Sequence, residues 1–385
     1  MKVDILIKNG RIFDPAAGID LRGNIMIRDR KILKITSQNQ AYEAVDATQC
    51  INADGCLIVP GLIDAHMHIN HLGQANGAPA DLCCIPNGVT GAIDAGSTGV
   101  STYKMFLRNL ACCNIRAKIM LNVSACGIIM PTWFPEPVDP QKWDLAYFDE
   151  AFEQYGSQIL GLKLRISRNV IGDLGTKPLE EALKLAERYQ THLEVHTTDP
   201  IIEMGQLAEM LRPGDIITHI HQGKGHTIIK NGHVDKRMLK AQQRGVIMDC
   251  SNGKFNISLD IAKQAIAEGF FPDTISSDLN VTNWRSSYVF SLPAIMSKYL
   301  ALGMTVDQVI RCTTTAAAER LGASGNLGTL KEGTSADITI LELKEKPVIF
   351  KDILGGCIEG NQFILPRATI IDGKTMYLSN ELFGW

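Results

Sequence analysis

Pairs of histidines separated by one residue are the chemical feature of this chain that says most about its function. GLIDAHMH contains His66 and His68, and DIITHIH contains His219 and His221. Side chains alternate along a β-strand, so the two histidines of each pair are predicted to share one face. Neutral imidazole is a common metal ligand. A single pair is also compatible with a solvated strand end, so further ligands are needed to indicate a site.

Further residues of metal-binding type lie on other apolar segments. Lys163 lies inside GLKLR, His196 ends LEVH, and Asp278 ends TISSD. A buried lysine is rare, because burial penalises the ammonium charge. Each of these residues falls near the carboxyl end of its own predicted strand. Several strand ends that offer ligands together predict a metal site.

The apolar segments alternate with amphipathic ones between residues 61 and 279. We predict eight strands there, and their continuous apolar runs are typical of parallel strands that are covered on the outside. Alternation of this length predicts a (β/α)8 barrel, whose active sites lie at the carboxyl ends of the strands. The predicted helices are 101–113, 144–155, 178–190, 200–211, 235–244, 257–269 and 292–302.

Both ends of the chain contain short alternating strands with glycine-containing turns, such as KVDILIKNGRIFD and RATIIDGKTMY. Neither end has enough strands to bury a sheet alone. We therefore expect residues 1–55 and 322–385 to combine into one small β-sandwich domain. The barrel, residues 56–321, would be inserted between them.

In their order along the chain, these motifs resemble the amidohydrolase superfamily of metal-dependent hydrolases. DxHxH at 64–68 precedes the strand lysine, the later strand histidines and the aspartate of the eighth strand. The segment 328–341 (GTLKEGTSADITIL) resembles the return of that superfamily into its small domain. GLKLR, EVHTT, THIHQG and SSDLN are most similar to a dihydroorotase-like deacetylase group.

The resemblance implies two divalent metal ions, with zinc as the default and iron, manganese, cobalt or nickel compatible with the same ligands. The implied ligands are His66, His68 and Asp278 for one ion, His196 and His219 for the other, and Lys163, as a carbamate, bridging both.

Two alternatives to this ligand set stay open in the sequence. Lys163 could instead form a salt bridge with Glu194 or Asp94. His221 is the rival of His219 as a ligand, because both belong to one histidine pair.

The implied reaction is attack of a metal-bridging hydroxide on a carbonyl carbon. Asp278 would accept the proton and pass it to the leaving group. The expected substrate is an acyl amide or ester of a small amino- or hydroxy-acid, with acetyl as the leading candidate for the acyl group. The alternatives are a cyclic amidase acting on hydantoins or dihydropyrimidines, and a catalytically silent barrel scaffold. Asn70 occupies the position where dihydroorotases have an arginine, which argues against that activity.

Four residues are predicted to contact substrate. Arg165 shares a face with Lys163 and could bind a carboxylate, or pair with an acid lower in the barrel. Loops after strands contribute Thr98, Asn252 and Asn280. The loop 223–233 is glycine-rich and polar, as expected of a mobile lid or of an ordinary surface loop.

Length, charge and cysteine content limit the classes of partner and the cellular location that we expect. The chain has 385 residues, a net charge of −3 and no basic run, which argues against nucleic acid and membrane surfaces as partners and favours a small-molecule substrate. Its 10 cysteines form no C-x-x-C motif, and no signal-peptide apolar segment follows Met1. We expect a cytoplasmic enzyme, and a homo-oligomer is compatible with the sequence.

Overall fold

The computed structural model describes residues 1–38, 45–130, 134 and 136–382. The amino-terminal region of the chain is built of strands with many buried residues, as their content of β-branched and apolar residues predicts. These strands are β1 (Lys2–Asp14), β2 (Ile19–Arg28), β3 (Lys31–Ser37), β4 (Asp46–Asn52) and β5 (Leu57–Pro60).

The central region contains a parallel sheet of seven strands that follow one another in chain order, with the last at one edge and the first at the other. Every residue of its second strand is buried, as expected when both faces of a parallel sheet are covered. The strands are β6 (Leu62–Met67), β7 (Val89–Gly99), β8 (Arg116–Asn122), β9 (Ile159–Arg165), β10 (His192–His196), β11 (Ile216–Thr218) and, after the short hairpin β12 (Ile229–Lys230) and β13 (His233–Val234), β14 (Ile247–Met248).

The segment 274–279 joins the two edges of this sheet. Thr274 forms a parallel bridge with Asp249 after β14, and Leu279 forms one with Met67 of β6. Seven strands and this segment therefore complete a TIM-like barrel, which confirms the predicted α/β fold class.

The last two of the eight barrel strands have little regular strand structure. β14 has only two residues, and 274–279 is held by isolated bridges. The reason is local: Ser251 has φ 37° and Asp278 has φ 50°, so the backbone leaves the extended region at both strand ends.

The predicted helices are confirmed with shifts of a few residues at their ends. α7 shows why they form, since the Asp235 side chain accepts a hydrogen bond from Arg237 N at its start and Gly245 adopts φ 102° at its end. The helices are α1 (Ala80–Cys84), α2 (Tyr103–Leu110), α3 (Leu145–Tyr155), α4 (Arg168–Ile171), α5 (Lys177–Arg188), α6 (Met204–Met210), α7 (Lys236–Arg244), α8 (Leu259–Ala267), α9 (Leu292–Ala301), α10 (Val306–Thr313) and α11 (Thr315–Arg320).

Three strands end the described chain: β15 (Ile338–Lys351), β16 (Cys357–Ile371) and β17 (Lys374–Leu378). They join the amino-terminal strands in one eight-stranded sheet, in the order β17-β16-β15-β5-β1-β2-β3 with β4 paired to β1. Strands from both ends therefore pair as predicted, through β15 and β5. Isoleucines of this sheet, including Ile7, Ile58 and Ile338, form a core cluster separate from that of the barrel. The β-sandwich and its domain boundaries stay a prediction.

Among the helices of the described chain, none combines the length and apolar character that crossing a membrane requires.

Candidate metal centre

The six predicted metal ligands lie at or just beyond the carboxyl ends of their barrel strands. Five of them line one cavity of about 300 Å³, and the sixth contacts that group through a neighbouring imidazole. The five are His66, His68, Lys163, His196 and Asp278, and the sixth is His219.

His66, His68 and Asp278 form a compact trio. One ligand atom from each lies within 4.8 Å of the other two. Asp278 Oδ1 is 3.3 Å from His68 Nε2 and 3.7 Å from His66 Nε2. Two imidazoles and a carboxylate converging on one point match the donor set of a divalent transition metal.

His196 and His219 form an adjacent pair. His196 Nδ1 is 2.8 Å from His219 Nε2, and the His219 ring centroid lies 5.2 Å from that of His66. Among the described residues, the buried Nε2 of His196 has no hydrogen-bond partner. An unpartnered buried imidazole nitrogen is costly in a protein, and a metal ion would satisfy it.

The protonation states of these groups suit cation binding. Burial lowers the pKa of His66, of His196 and of His219, the last to about 3, so the imidazoles are neutral at pH 7. Burial alone would raise the pKa of Asp278, but its hydrogen bond with His68 brings that pKa below its ordinary value. Neutral imidazole and carboxylate are the metal-binding forms.

Lys163 is buried beside these ligands and contacts a carboxylate. Its Nζ lies 2.6 Å from Glu194 Oε1, which also lies 2.9 Å from His66 Nδ1. This is one of the two salt bridges that the sequence left open as alternatives to a carbamate. Asp94, the other alternative, instead accepts hydrogen bonds from Ser97 and from the backbone of Ile69.

Three residues that the sequence did not single out, Arg320, Asp249 and Ser251, support the proposed metal ligands. Arg320 Nη2 donates to Glu194 Oε2 over 2.7 Å, and Nη1 donates to Asp249 Oδ2 over 2.8 Å. Ser251 Oγ lies 2.8 Å from the same Asp249 oxygen and 3.1 Å from His66 Nδ1. The signal that could have pointed to Arg320 is its charge on an otherwise apolar helix face behind the barrel strands.

Asn256 contacts the predicted catalytic acid. Its Nδ2 donates to Asp278 Oδ2 over 2.6 Å, and Thr198 Oγ1 donates to its Oδ1 over 2.7 Å. Asp64, the first residue of DxHxH, accepts hydrogen bonds from the backbone and hydroxyl of Ser277 at 3.0 and 2.5 Å. Both contacts fix Asp278, the first directly and the second through the preceding residue.

The prediction that His219 and His221 share a face is wrong. β11 ends at Thr218, and His219 adopts φ 61°, so the strand alternation stops before the pair. His221 Nδ1 instead lies 2.8 Å from the hydroxyl of Tyr299. The structure thus places His219, and not His221, beside the other imidazoles.

The predicted substrate contacts divide into two groups. Arg165 and Asn280 line the cavity, whereas Thr98 and Asn252 are buried outside its described lining. Arg165 Nη1 is 3.1 Å from Glu136 Oε1. The expected acidic partner of Arg165 therefore comes from the segment after β8, at the carboxyl end of the barrel, and not from lower in the barrel.

The loop 223–233 contributes no residue to the described lining of the cavity. Part of it forms the β12–β13 hairpin, in which Ile229 pairs with Val234. This placement favours the surface-loop interpretation over the lid.

Residues 172–376 match the model of the amidohydrolase family. The chain belongs to the amidohydrolase family. This membership confirms the resemblance inferred from the ordered motifs and identifies the chain as a metal-dependent hydrolase.

Individual members of the amidohydrolase family cover nearly the whole chain. A deacetylase from Agrobacterium fabrum is 29% identical over 353 residues, which are 91% of this chain and 86% of the relative. A crystal structure of an adenine deaminase superposes with a TM-score of 0.89 at 27% identity, covering 98% of this chain and 100% of that one. A dihydroorotase structure gives a TM-score of 0.85 at 27% identity, covering 97% and 98%.

Proposed function

We propose that this amidohydrolase is a binuclear metal-dependent hydrolase. It would cleave an acyl group, with acetyl as the leading candidate, from the nitrogen or oxygen of a small amino- or hydroxy-acid. The observation that carries the proposal is the trio His66, His68 and Asp278 beside the His196–His219 pair. One metal ion would occupy each group.

The donor atoms of the proposed ligands are of the types that bind two divalent cations. The trio supplies two imidazoles and a carboxylate, and the pair supplies two imidazoles, one with an unpartnered nitrogen. Lys163 would bridge the ions as a carbamate, formed when its neutral amine captures carbon dioxide. Glu194 would then lose its ammonium partner and keep Arg320 and His66.

The bound ions would supply an activated water and a Lewis acid for the carbonyl oxygen. Asp278 is the residue that moves the proton. Asn256 donates a hydrogen bond to Asp278 Oδ2, and Asp278 Oδ1 faces the imidazoles of His66 and His68. An ionised carboxylate held in this way can accept a proton from water and return it to the leaving group.

Two observations favour acyl transfer over a dihydroorotase reaction. Three relatives whose similarity covers at least 90% of this chain are named deacetylases. Asn70, in place of the arginine that dihydroorotases use, is buried and absent from the described cavity lining. No cationic side chain is therefore available at that position.

Metal content and hydrolysis measured together test the proposal. The protein is purified with bicarbonate present, and its metal content is compared with that of Lys163→Ala and of Lys184→Ala, an exposed lysine on α5. We expect about two metals per chain in the wild type and in Lys184→Ala. Lys163→Ala should lose one or both, and added acetate or formate should restore part of the loss, because a small carboxylate can replace the carbamate.

The compounds to be assayed as substrates are N-acetyl amino acids, O-acetyl hydroxy-acids, a hydantoin, dihydroorotate and adenine. Hydrolysis of the acetylated acids alone supports the proposal. Ring opening of the hydantoin without acyl cleavage would instead indicate a cyclic amidase. Release of ammonia from adenine would indicate a deaminase, and an unchanged metal content in Lys163→Ala would exclude the carbamate bridge.

A further inference from the structure

Among the described residues, three lysine or arginine side chains line the candidate active-site cavity, and two of them already have acidic partners. Lys163 lies 2.6 Å from Glu194, and Arg165 lies 3.1 Å from Glu136. For Lys254, no carboxylate of the described chain lies within 4.0 Å of Nζ. Lys254 is therefore the cavity cation whose charge is not balanced by a neighbouring acid.

Aromatic rings hold Lys254 in place. Its Nζ lies 5.2 Å from the ring centroid of Phe255 and 5.6 Å from that of Tyr288. Rings attract the ammonium through their quadrupole but do not neutralise it. The ammonium is thus positioned and still able to bind an anion.

Buried Lys298 fixes the two loops that carry these rings. Its Nζ donates to Asn252 Oδ1 over 3.0 Å and to the backbone oxygen of Tyr288 over 2.9 Å. The segment before Lys254 is thereby tied to the segment that carries Tyr288. Both loops lie at the carboxyl end of the barrel.

The segment of Lys254 also contacts the proton-transfer group. Asn256, two residues later, donates to Asp278 over 2.6 Å. Gly253, one residue earlier, adopts φ 52°, and a Cβ there would collide with Asp278 Oδ2. Lys254 is therefore fixed at the wall of the cavity in which Asp278 would act.

The lining of the cavity also includes apolar side chains. Phe255, Ile128 and Val170 line the same cavity, and Phe255 remains 64% exposed. A large exposed aromatic side chain at a cavity wall can bind an apolar group of a ligand. A cation and apolar side chains in the same cavity suit an acid that carries an apolar side chain.

We propose that Lys254 binds the carboxylate of the substrate and that Phe255, with Ile128 and Val170, binds its apolar side chain. This inference rests on the proposed acyl hydrolysis and narrows its substrates to acyl derivatives of apolar amino- or hydroxy-acids. It also replaces Arg165, whose charge is already balanced by Glu136, as the carboxylate anchor.

Paired substrates test this assignment. N-acetylphenylalanine carries the carboxylate, and N-acetylphenylalaninamide lacks it. For Lys254→Met we expect KM for the acid to rise about 10- to 100-fold, since a hydrogen bond to a charged group is lost, with kcat little changed. KM for the amide should stay the same, and Lys254→Arg should recover most of the affinity for the acid.

Two further variants complete the comparison. Lys263→Met removes an exposed lysine on α8 and should leave both substrates unaffected. Arg165→Met should affect acid and amide to a similar degree. An equal loss for acid and amide in Lys254→Met, or an acid-specific loss in Arg165→Met alone, would overturn the assignment.

Binding of 3-phenylpropanoate, measured by calorimetry on the metal-loaded protein, separates this inference from the proposed reaction. Weaker binding to Lys254→Met than to the wild type supports the anchor even if no acyl acid is hydrolysed, in which case only the proposed reaction fails. Equal binding to both proteins, or none to the wild type, overturns the anchor even if acyl acids are hydrolysed.

Discussion

Arg320 Nη2 lies 2.7 Å from Glu194 Oε2, and the other oxygen of Glu194 lies 2.9 Å from His66 Nδ1. A guanidinium from α11, beyond the last barrel segment, thus reaches the proposed metal ligand His66 through one carboxylate. Burial alone would raise the pKa of Glu194, but the charges of Lys163 and Arg320 and the hydrogen bond with His66 hold that pKa well below its ordinary value. Glu194 is therefore an anion that orients the His66 ring.

Arg320→Met should destabilise the protein strongly. Arg320 is 3% exposed, and its loss would leave Glu194 and Asp249 buried without their shared cation. Removing one partner of a buried ion pair costs roughly 3–5 kcal/mol. The free energy of unfolding in urea measures the loss, and metal content should fall with it.

Arg311→Met is the matched control for Arg320→Met. Arg311, on α10, is 48% exposed and lies 3.8 Å from Asp307. An exposed pair of this kind contributes about 1 kcal/mol or less. Equal losses of stability in the two variants would contradict the role given to Arg320.

Gly96→Ala should displace Lys163. Gly96 has φ 81°, and a Cβ there would lie 2.6 Å from Lys163 Cβ and Cγ. Gly333→Ala provides the control, because Gly333 has φ 87° and open space around its Cα. Backbone strain should destabilise both variants by a similar amount, about 1–2 kcal/mol, but only Gly96→Ala should lose metal and activity. Metal content that is equal in both would show that Lys163 tolerates the shift.

Asn256→Ala should slow the chemical step. The hydrogen bond to Asp278 Oδ2 fixes the carboxylate that would move the proton. Loss of such an outer contact lowers activity about 10- to 100-fold. Steady-state kinetics should show the change in kcat, with KM close to that of the wild type. Asn380→Ala, at an exposed position after β17, should leave both constants unchanged, and a rise in KM alone would contradict the prediction for Asn256.

Lys298 should make stability depend on pH above neutrality. Burial lowers the pKa of its ammonium from 10.5 to about 8. Below pH 8 both states are protonated, and the burial penalty is fully present. Between pH 8 and 10.5 the unfolded chain binds more protons, so the free energy of unfolding rises with pH.

Lys298→Met removes this dependence. The difference in unfolding free energy between wild type and variant should change by roughly 3 kcal/mol from pH 8 to 10.5. Urea unfolding at several pH values measures it, with Lys263→Met as the control that shows no such change. Parallel curves for wild type and Lys298→Met would exclude a lowered pKa.

The sequence predicts the positions of most of the proposed metal ligands because strand geometry is local. In GLIDAHMH and GLKLR, a period of two and an apolar run suffice to place His66, His68 and Lys163 at strand ends. Parallel strands meet at one edge, so the shared site follows without knowledge of any contact. The same local patterns predict the terminal strands, and the order of motifs indicates the family.

Strand periodicity left open which histidine of the second pair joins the site, and the tertiary structure placed His219 there, as the family resemblance implied. The backbone turns to positive φ at His219, and no periodic pattern anticipates that break. The tertiary structure also decided the contacts made by Arg320, which lies 126 residues from Glu194 in the chain. A lone arginine on a helix has no local partner that would reveal its role.

The charge of the cavity likewise emerged only in three dimensions. Arg165 and Lys254 are equivalent as basic residues in the sequence, but Glu136 pairs with the first and aromatic rings surround the second. Local periodicity determines where along a strand a side chain lies. Which charges are balanced depends on long-range contacts between loops, and those are set by the packing of the whole barrel.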